Sequence, residues 1–186
     1  MTVVTTQILG LPRGRALTRA DLTNLPDDGH RYELIDGTLV VSPAPKLRHQ
    51  RAVTRLAAIL RAAVPDHLEV LVAPFDVVLA DDTVLQPDVL VAPIDQFTER
   101  DLRGAPLVAV EVLSPSTRGV DLLLKKERLA RAGCAHYWIV DPDEPSITAW
   151  TLVDGDYAPA GRALGDQDFA GAVPFGVRCT PRELTA

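Results

Sequence analysis

Residues 107–113, Leu107-Val108-Ala109-Val110-Glu111-Val112-Leu113, form an almost continuously apolar run interrupted near its end by one acid. A strand covered on both faces reads this way, because neither side of it meets water. A carboxylate there needs a partner. Unpaired burial costs several kcal/mol or forces protonation, so a metal, a lysine or a set of donors is expected beside Glu111. A second apolar run, Val84-Leu85 and Val89-Leu90-Val91, is split by Gln86-Pro87-Asp88. Proline removes a ladder donor and bends the strand, which could turn Asp88 toward Glu111.

Outward from these two runs, the pattern sets the remaining elements. Residues 1–17 carry no clear period and read as an arm; a short helix from Thr18 buries Leu22 and Leu25 and ends at Pro26-Asp27-Asp28-Gly29. Arg31-Tyr32-Glu33-Leu34-Ile35, Asp36-Gly37 and Thr38-Leu39-Val40-Val41 spell a hairpin with a two-residue turn. Glu33 shares a strand face with Arg31 and Ile35, and both a solvated and a functional reading stay open for it. A helix over 46–64 carries the stripe His49, Ala52, Val53, Leu56, Ile59 and Leu60, with Arg48, Arg51 and Arg55 projecting elsewhere. His49 on that stripe is either a packed core group or a site residue; the arginines are either an ordinary solvated face or a phosphate track.

Strands are expected over 68–80 and 83–92 around the turn Asp81-Asp82, with Asp76 as a structural acid, and 94–104 reads as irregular. Ser114-Pro115-Ser116-Thr117 offers hydroxyl caps to a helix over 120–132 that stops at Gly133. Asp121, Lys125, Leu129 and Gly133 fall in one row of that helix, but spacing does not decide whether Lys125 or Lys126 faces the sheet. A plain solvated Asp121–Lys125 pair would contribute only about 0.3–0.5 kcal/mol. His136-Tyr137-Trp138-Ile139-Val140-Asp141 reads as a buried strand, and 147–152 with 156–160 as a final hairpin around Asp154-Gly155.

With 186 residues, 47% of them hydrophobic, the chain can bury one substantial core, read as a domain over 18–160 with a C-terminal extension over 161–186. A net charge of −6 excludes a generally basic nucleic-acid coat, so any such contact must be local. Cys134 and Cys179 lack CxxC spacing, which predicts free thiols in a reducing compartment. The first residues lack the basic and apolar regions of a signal peptide and no apolar run is long enough to span a membrane, so a cytoplasmic protein is expected.

Asp88, Glu111 and a lysine on the next helix are the residue types that divalent-metal phosphodiester chemistry needs. Hard cations take carboxylates with water and substrate phosphate in the remaining positions, and a nearby lysine can orient the water or neutralise developing charge. The chain resembles the Uma-type restriction endonuclease family, within the PD-(D/E)xK nuclease superfamily. The match rests on Tyr32-Glu33-Leu34-Ile35-Asp36-Gly37, His49-Gln50, Gln86-Pro87-Asp88-Val89, Glu111-Val112-Leu113-Ser114-Pro115-Ser116-Thr117, Asp121 with Lys125, and Tyr137-Trp138-Ile139-Val140-Asp141.

The resemblance implies an α/β (α+β) protein with a restriction-endonuclease-like core, a central mixed β-sheet flanked by helices, to which the N-terminal and C-terminal β-hairpins are added. It implies Asp88 and Glu111 as Mg²⁺ or Mn²⁺ ligands, the Val112 carbonyl as a third, and Glu33 and His49 at motif positions. The superfamily's usual lysine two residues after the glutamate is replaced by Leu113, and the family's spacing selects Lys125 in its stead. Leu129 and Cys134-Ala135-His136 depart from the family pattern without removing a ligand. The expected function is a metal-dependent endonuclease acting on nucleic acid, DNA first, and a cut through two strands would favour a homodimer. The alternatives are a catalytically inactive nuclease-fold module that binds a partner or dimerises, and a hydrolase of small phosphate esters.

Overall fold

Pro87 breaks a strand, and that break has a counterpart at Pro74 that shapes the whole molecule. We describe the protein from a computed structural model covering residues 10–12, 14–115, 117–171 and 174–186. The elements run α1 (Arg19–Leu22), β1 (Arg31–Ile35), β2 (Thr38–Ser42), α2 (Leu47–Ala63), β3 (Leu68–Val72), β4 (Asp76–Ala80), β5 (Thr83–Leu85), β6 (Val89–Pro93) and β7 (Asp101–Arg103). They continue as β8 (Val108–Val112), a π-helical segment (Val120–Lys125) leading into α3 (Lys126–Ala132), β9 (His136–Asp141), β10 (Ser146–Val153), β11 (Asp156–Leu164), β12 (Phe169–Gly171), β13 (Val177–Cys179) and α4 (Pro181–Thr185). No helix among the described residues is long and apolar enough to cross a membrane.

The fold is mixed α+β. A six-stranded sheet in the order β11-β10-β9-β8-β6-β3 is antiparallel except where β8 and β9 run parallel. A five-stranded sheet in the order β2-β1-β5-β4-β7 lies beside it, and β12 with β13 form a small third sheet. The spans expected as single strands over 68–80 and 83–92 are each two strands, because one hairpin straddles both large sheets. Its outer half, β3 with β6, belongs to the six-stranded sheet, and its inner half, β4 with β5, to the five-stranded one. Both chains change sheet at a proline, Pro74 and Pro87, where no ladder N–H is available. Asp88 sits at this pivot, its carbonyl accepting the Ala73 N–H at 3.2 Å.

The segment 94–104, expected to be irregular, contains β7, which pairs parallel with β4. Its three residues are too few to show a period. The N-terminal hairpin forms as expected and joins the five-stranded sheet, with Asp36 and Gly37 both at positive φ. A two-residue turn of this hand requires such angles. A Cβ on Gly37 would lie 2.5 Å from the Ala16 Cβ at φ +72°. Gly37→Ala is therefore expected to lower stability by about 1–3 kcal/mol in a urea titration, whereas a change under about 0.3 kcal/mol would contradict the close approach.

Alternation along β8 divides its side chains between two cores. Val108, Val110 and Val112 pack with Val53, Leu56 and Leu60 of α2, with Trp138 and Val140, and with Phe169, Val177 and Leu184. Ala109 and Leu113 pack on the opposite face with Ile35, Leu85, Leu129, Tyr137 and Ile139. Every residue of β8 is buried, which is why its sequence is apolar throughout. By parity Glu111 faces the second core, between the two large sheets and the helix carrying Lys125.

The ends of the chain add to these cores. Residues 1–9 and 13 of the expected arm lie outside the described residues, while Leu11 and Leu17 are buried against Leu34 and Val84. Ser116, expected as a cap, and residues 172–173 also lie outside them. Beyond Gly161, where the sequence shows no pattern, β12, β13 and α4 close the core over α2. Cys134 and Cys179 are free and buried, and burial pushes the Cys134 thiol up to about 11.

Candidate active site

Five of the expected site residues converge from five elements. Asp88 comes from the pivot before β6, Glu111 from β8, Glu33 from β1, His49 from the first turn of α2, and Lys125 from the end of the π-helical segment. Asp121, from the start of that segment, joins them. Glu33, Glu111 and Lys125 are fully buried, and Asp88 and Asp121 nearly so.

Lys125 is the hub. Its Nζ lies 2.9 Å from Glu33 Oε1, 3.2 Å from Glu111 Oε1 and 3.3 Å from Asp121 Oδ1. Glu33 Oε1 also accepts the Gln86 backbone N–H at 2.8 Å, a donor that the strand break before Pro87 leaves free. The Gln86 side chain in turn donates to Asp76 at 2.8 Å, which holds that acid in a structural role. Burial alone would lower the Lys125 pKa, but Glu111, Glu33 and Asp121 more than offset it and hold the ammonium charged, above the ordinary lysine value. The wider π turn keeps Asp121 and Lys125 on the buried side while Leu123 and Leu124 face out. Lys126 points elsewhere, its Nζ 3.8 Å over the Trp150 ring.

Asp88 is held by different groups. Its Oδ1 accepts from Arg31 NH1 at 2.6 Å, and its Oδ2 accepts the Val112 N–H at 2.8 Å and faces His49 Nε2 at 3.1 Å. Burial would raise the Asp88 pKa, but the His49 contact and the charges of Arg31, His49 and Lys125 hold it below the usual carboxylate range. Glu111 behaves oppositely. Burial pushes its pKa well above the ordinary value, Lys125 opposes the shift, and Asp121, Asp88 and Glu33 add to it. Burial likewise raises Asp121, against Lys125 and Thr117. Two neighbouring carboxylates, one held ionised and the other favouring its proton, are an arrangement that catalytic sites often carry.

A cleft of about 1110 Å³ opens onto this cluster. Arg31, His49, Asp88 and Gln86 line it, as do Ser114, Thr117, Tyr32 and Arg48. Asp88 is therefore the cluster's carboxylate at the cleft, with Glu111, Lys125, Glu33 and Asp121 behind it. Of the α2 arginines, Arg48 lines the cleft and lies 3.5 Å from Asp143, whereas Arg55 donates to the Glu183 carbonyl at 2.8 Å.

Among the described residues, no three His, Cys, Asp or Glu side chains are arranged to hold a metal ion. The donor set fits a cation of another kind of site, with two carboxylates and the rest water and backbone, which is the habit of Mg²⁺. Glu111 Oε2 and Glu33 Oε2 are buried without hydrogen-bond partners. Four carboxylates, Glu33, Asp88, Glu111 and Asp121, face the two fixed cations Lys125 and Arg31. A cation beside these acids would supply the charge whose lack, with burial, favours the proton on Glu111.

Arg31 and Asp121 were not among the expected site residues, although each carries a local signal. Arg31 precedes Glu33 by two on the same strand face, and Asp121 precedes Lys125 by four.

No curated protein matches the chain. Among solved structures, a putative nuclease belonging to DUF820 from Anabaena variabilis is similar in fold, with a TM-score of 0.71 at 18% identity over 91% of this chain and 97% of that one. The model of the Uma2 family, described as "Putative restriction endonuclease", matches residues 19–181, and the chain belongs to that family.

Proposed function

We propose that the protein is a divalent-metal-dependent endonuclease that hydrolyses phosphodiester bonds of DNA, using the cluster at the Pro87 pivot. The observation that carries this reading is Asp88 lining the cleft while its charge acts on buried Glu111, whose Oε2 has no hydrogen-bond partner. Membership of the Uma2 family supports nuclease chemistry. Asp88, Glu111 and the Val112 carbonyl would hold Mg²⁺ or Mn²⁺. When bound, such an ion lowers the pKa of a water and stabilises charge on phosphate oxygens.

The chain's own residues supply the rest. Lys125 holds Glu33, Glu111 and Asp121 together within 3.3 Å and keeps a positive charge behind the phosphate. His49 and the Val112 N–H fix Asp88 Oδ2, so that its Oδ1 faces Arg31 at the cleft. Glu33 anchors the hub from β1. A second copy of the chain would provide the second active site for a cut through both strands, and a cytoplasmic location suits the free thiols.

The test is cleavage at low salt of plasmid, linear, branched and single-stranded DNA and of RNA, with Mg²⁺ or Mn²⁺ against excess EDTA. Cutting of DNA that stops in EDTA is the expected result. Cutting that persists in EDTA overturns metal dependence, and inertness on the whole panel together with no Mn²⁺ binding would make the protein a binding module.

Arg48 at the cleft gives a smaller expectation. Reversing its charge with Arg48→Glu should weaken DNA binding and reduce the slope of log K against log salt by roughly one or more. An unchanged slope would make it an ordinary surface residue.

A further inference from the structure

Asp88 poses a difficulty for any cation that approaches it, because each of its oxygens already has a protein partner and one of those partners is a cation. The two partners of Oδ2 are firmly placed, one a backbone N–H of β8 and the other a side chain from α2. Oδ1 has one partner, the guanidinium of Arg31 at 2.6 Å. Movement of Arg31 would leave Oδ1 without a protein partner and take a positive charge away from it.

Arg31 is suited to move. It lies at the first residue of β1, its side chain keeps 18% of its exposure, and it lines the cleft with Asp88, whereas Lys125 is sealed behind them. Its hold is incomplete: Nε is buried without a hydrogen-bond partner, and Glu33 Oε2 lies 3.8 Å away. The same planar fork that binds a carboxylate binds a phosphate, and a guanidinium stays charged in both places.

We propose that Arg31 stands in for the metal on Asp88 while the site is metal-free, and that metal entry transfers its guanidinium from Asp88 Oδ1 to the substrate's phosphate in the cleft. This inference rests on the metal-nuclease reading of the site. It makes metal and nucleic acid bind cooperatively, because each favours the displaced arginine. Arg31 is thus a positioning residue for metal and a binding residue for substrate.

The experiment is a Mn²⁺ titration of the wild type, Arg31→Met, Arg31→Lys and Asp88→Asn at fixed pH. It is paired with binding of a phosphorothioate DNA oligonucleotide in saturating Ca²⁺. Arg31→Met is expected to bind Mn²⁺ about tenfold tighter or better, since it removes both a competing ligand and a repelling charge. The same variant should bind the oligonucleotide more weakly, with a salt slope lower by about one, and Arg31→Lys should restore part of that binding. If neither Arg31 variant tightens Mn²⁺ binding, the stand-in role is overturned, and unchanged oligonucleotide binding overturns the transfer. Asp88→Asn separates the metal site from the role of Arg31. Mn²⁺ affinity retained in Asp88→Asn sinks the metal-site reading itself, whereas affinity lost there and unchanged in the Arg31 variants sinks the arginine inference alone.

Discussion

Lys125→Met will lower the unfolding free energy by about 3–5 kcal/mol, the largest loss expected from any single substitution in the cluster. Methionine keeps the length of the side chain and removes its charge, so the core volume is little changed. What is lost is the one ammonium shared by Glu33, Glu111 and Asp121, all within 3.3 Å of it and all buried. Breaking a buried ion cluster by removing one partner leaves charge without compensation, and the carboxylates must then take up protons. The loss should therefore grow as pH rises above the ordinary carboxylate range. Urea unfolding in EDTA at pH 5 and pH 8 measures it. A loss under about 1 kcal/mol at pH 8 would mean that Lys125 is not the hub. The neighbouring Lys126→Met serves as the control, since it removes a cation over Trp150 and should cost only about 0.5–1 kcal/mol.

Glu111→Gln will act in the opposite direction on stability. Burial and the three other carboxylates raise the Glu111 pKa in the folded state well above its ordinary value. The folded protein therefore binds this proton more tightly than the unfolded chain. Stability from this group is fully present below the unfolded value, near 4.3, and is lost as pH rises toward the folded one. The slope is at most about 1.4 kcal/mol per pH unit. Glutamine cannot ionise, so metal-free Glu111→Gln should become progressively more stable than the wild type across that window. Asp88 carries the reverse sign: its depressed pKa contributes stability above the ordinary carboxylate range that is lost as pH falls below it. Thermal melts in EDTA from pH 4 to pH 8 follow the Glu111 effect, and extending them below pH 4 follows that of Asp88. Parallel pH curves for the wild type and Glu111→Gln would contradict the assigned shift. A buried residue whose charge weakens the fold is a functional-site candidate.

Much of this site can be read along the chain. Glu111 announces itself because nothing else breaks the apolar run of β8, and Asp88 because Pro87 interrupts the next run. The Asp36-Gly37 turn needs only local geometry and forms where its sequence puts it. Lys125 against Lys126 was not decidable in this way. Adjacent residues on a regular helix point about 100° apart, and the π turn that buries Lys125 comes from packing around Asp121 and Tyr137, whose hydroxyl donates to the Asp121 carbonyl at 2.7 Å.

Other features have no local signature at all. Arg31 reaches Asp88 across 57 residues of sequence, so its role exists only once the two sheets meet. The division of one hairpin between two sheets was partly visible, since Pro74 marks β3 from β4 as Pro87 marks β5 from β6, but a proline does not say that the chain changes sheet. Strand β7 has three residues and owes its existence to pairing with β4. The stretch beyond Gly161 forms short strands and a five-residue helix whose apolar side chains are ordered by α2 rather than by their own period.

The role of Asp88 and Glu111 in the chemistry is tested by cleavage with Glu111→Gln and Asp88→Asn beside the wild type, on the best substrate of the panel, in Mn²⁺, with each variant's melting curve taken in the same buffer. Both variants are expected to stay folded and lose about 10²-fold of the cleavage rate or more. Folded variants that cut at the wild-type rate would contradict that role, because the chemistry would then lie outside the Asp88–Glu111 pair.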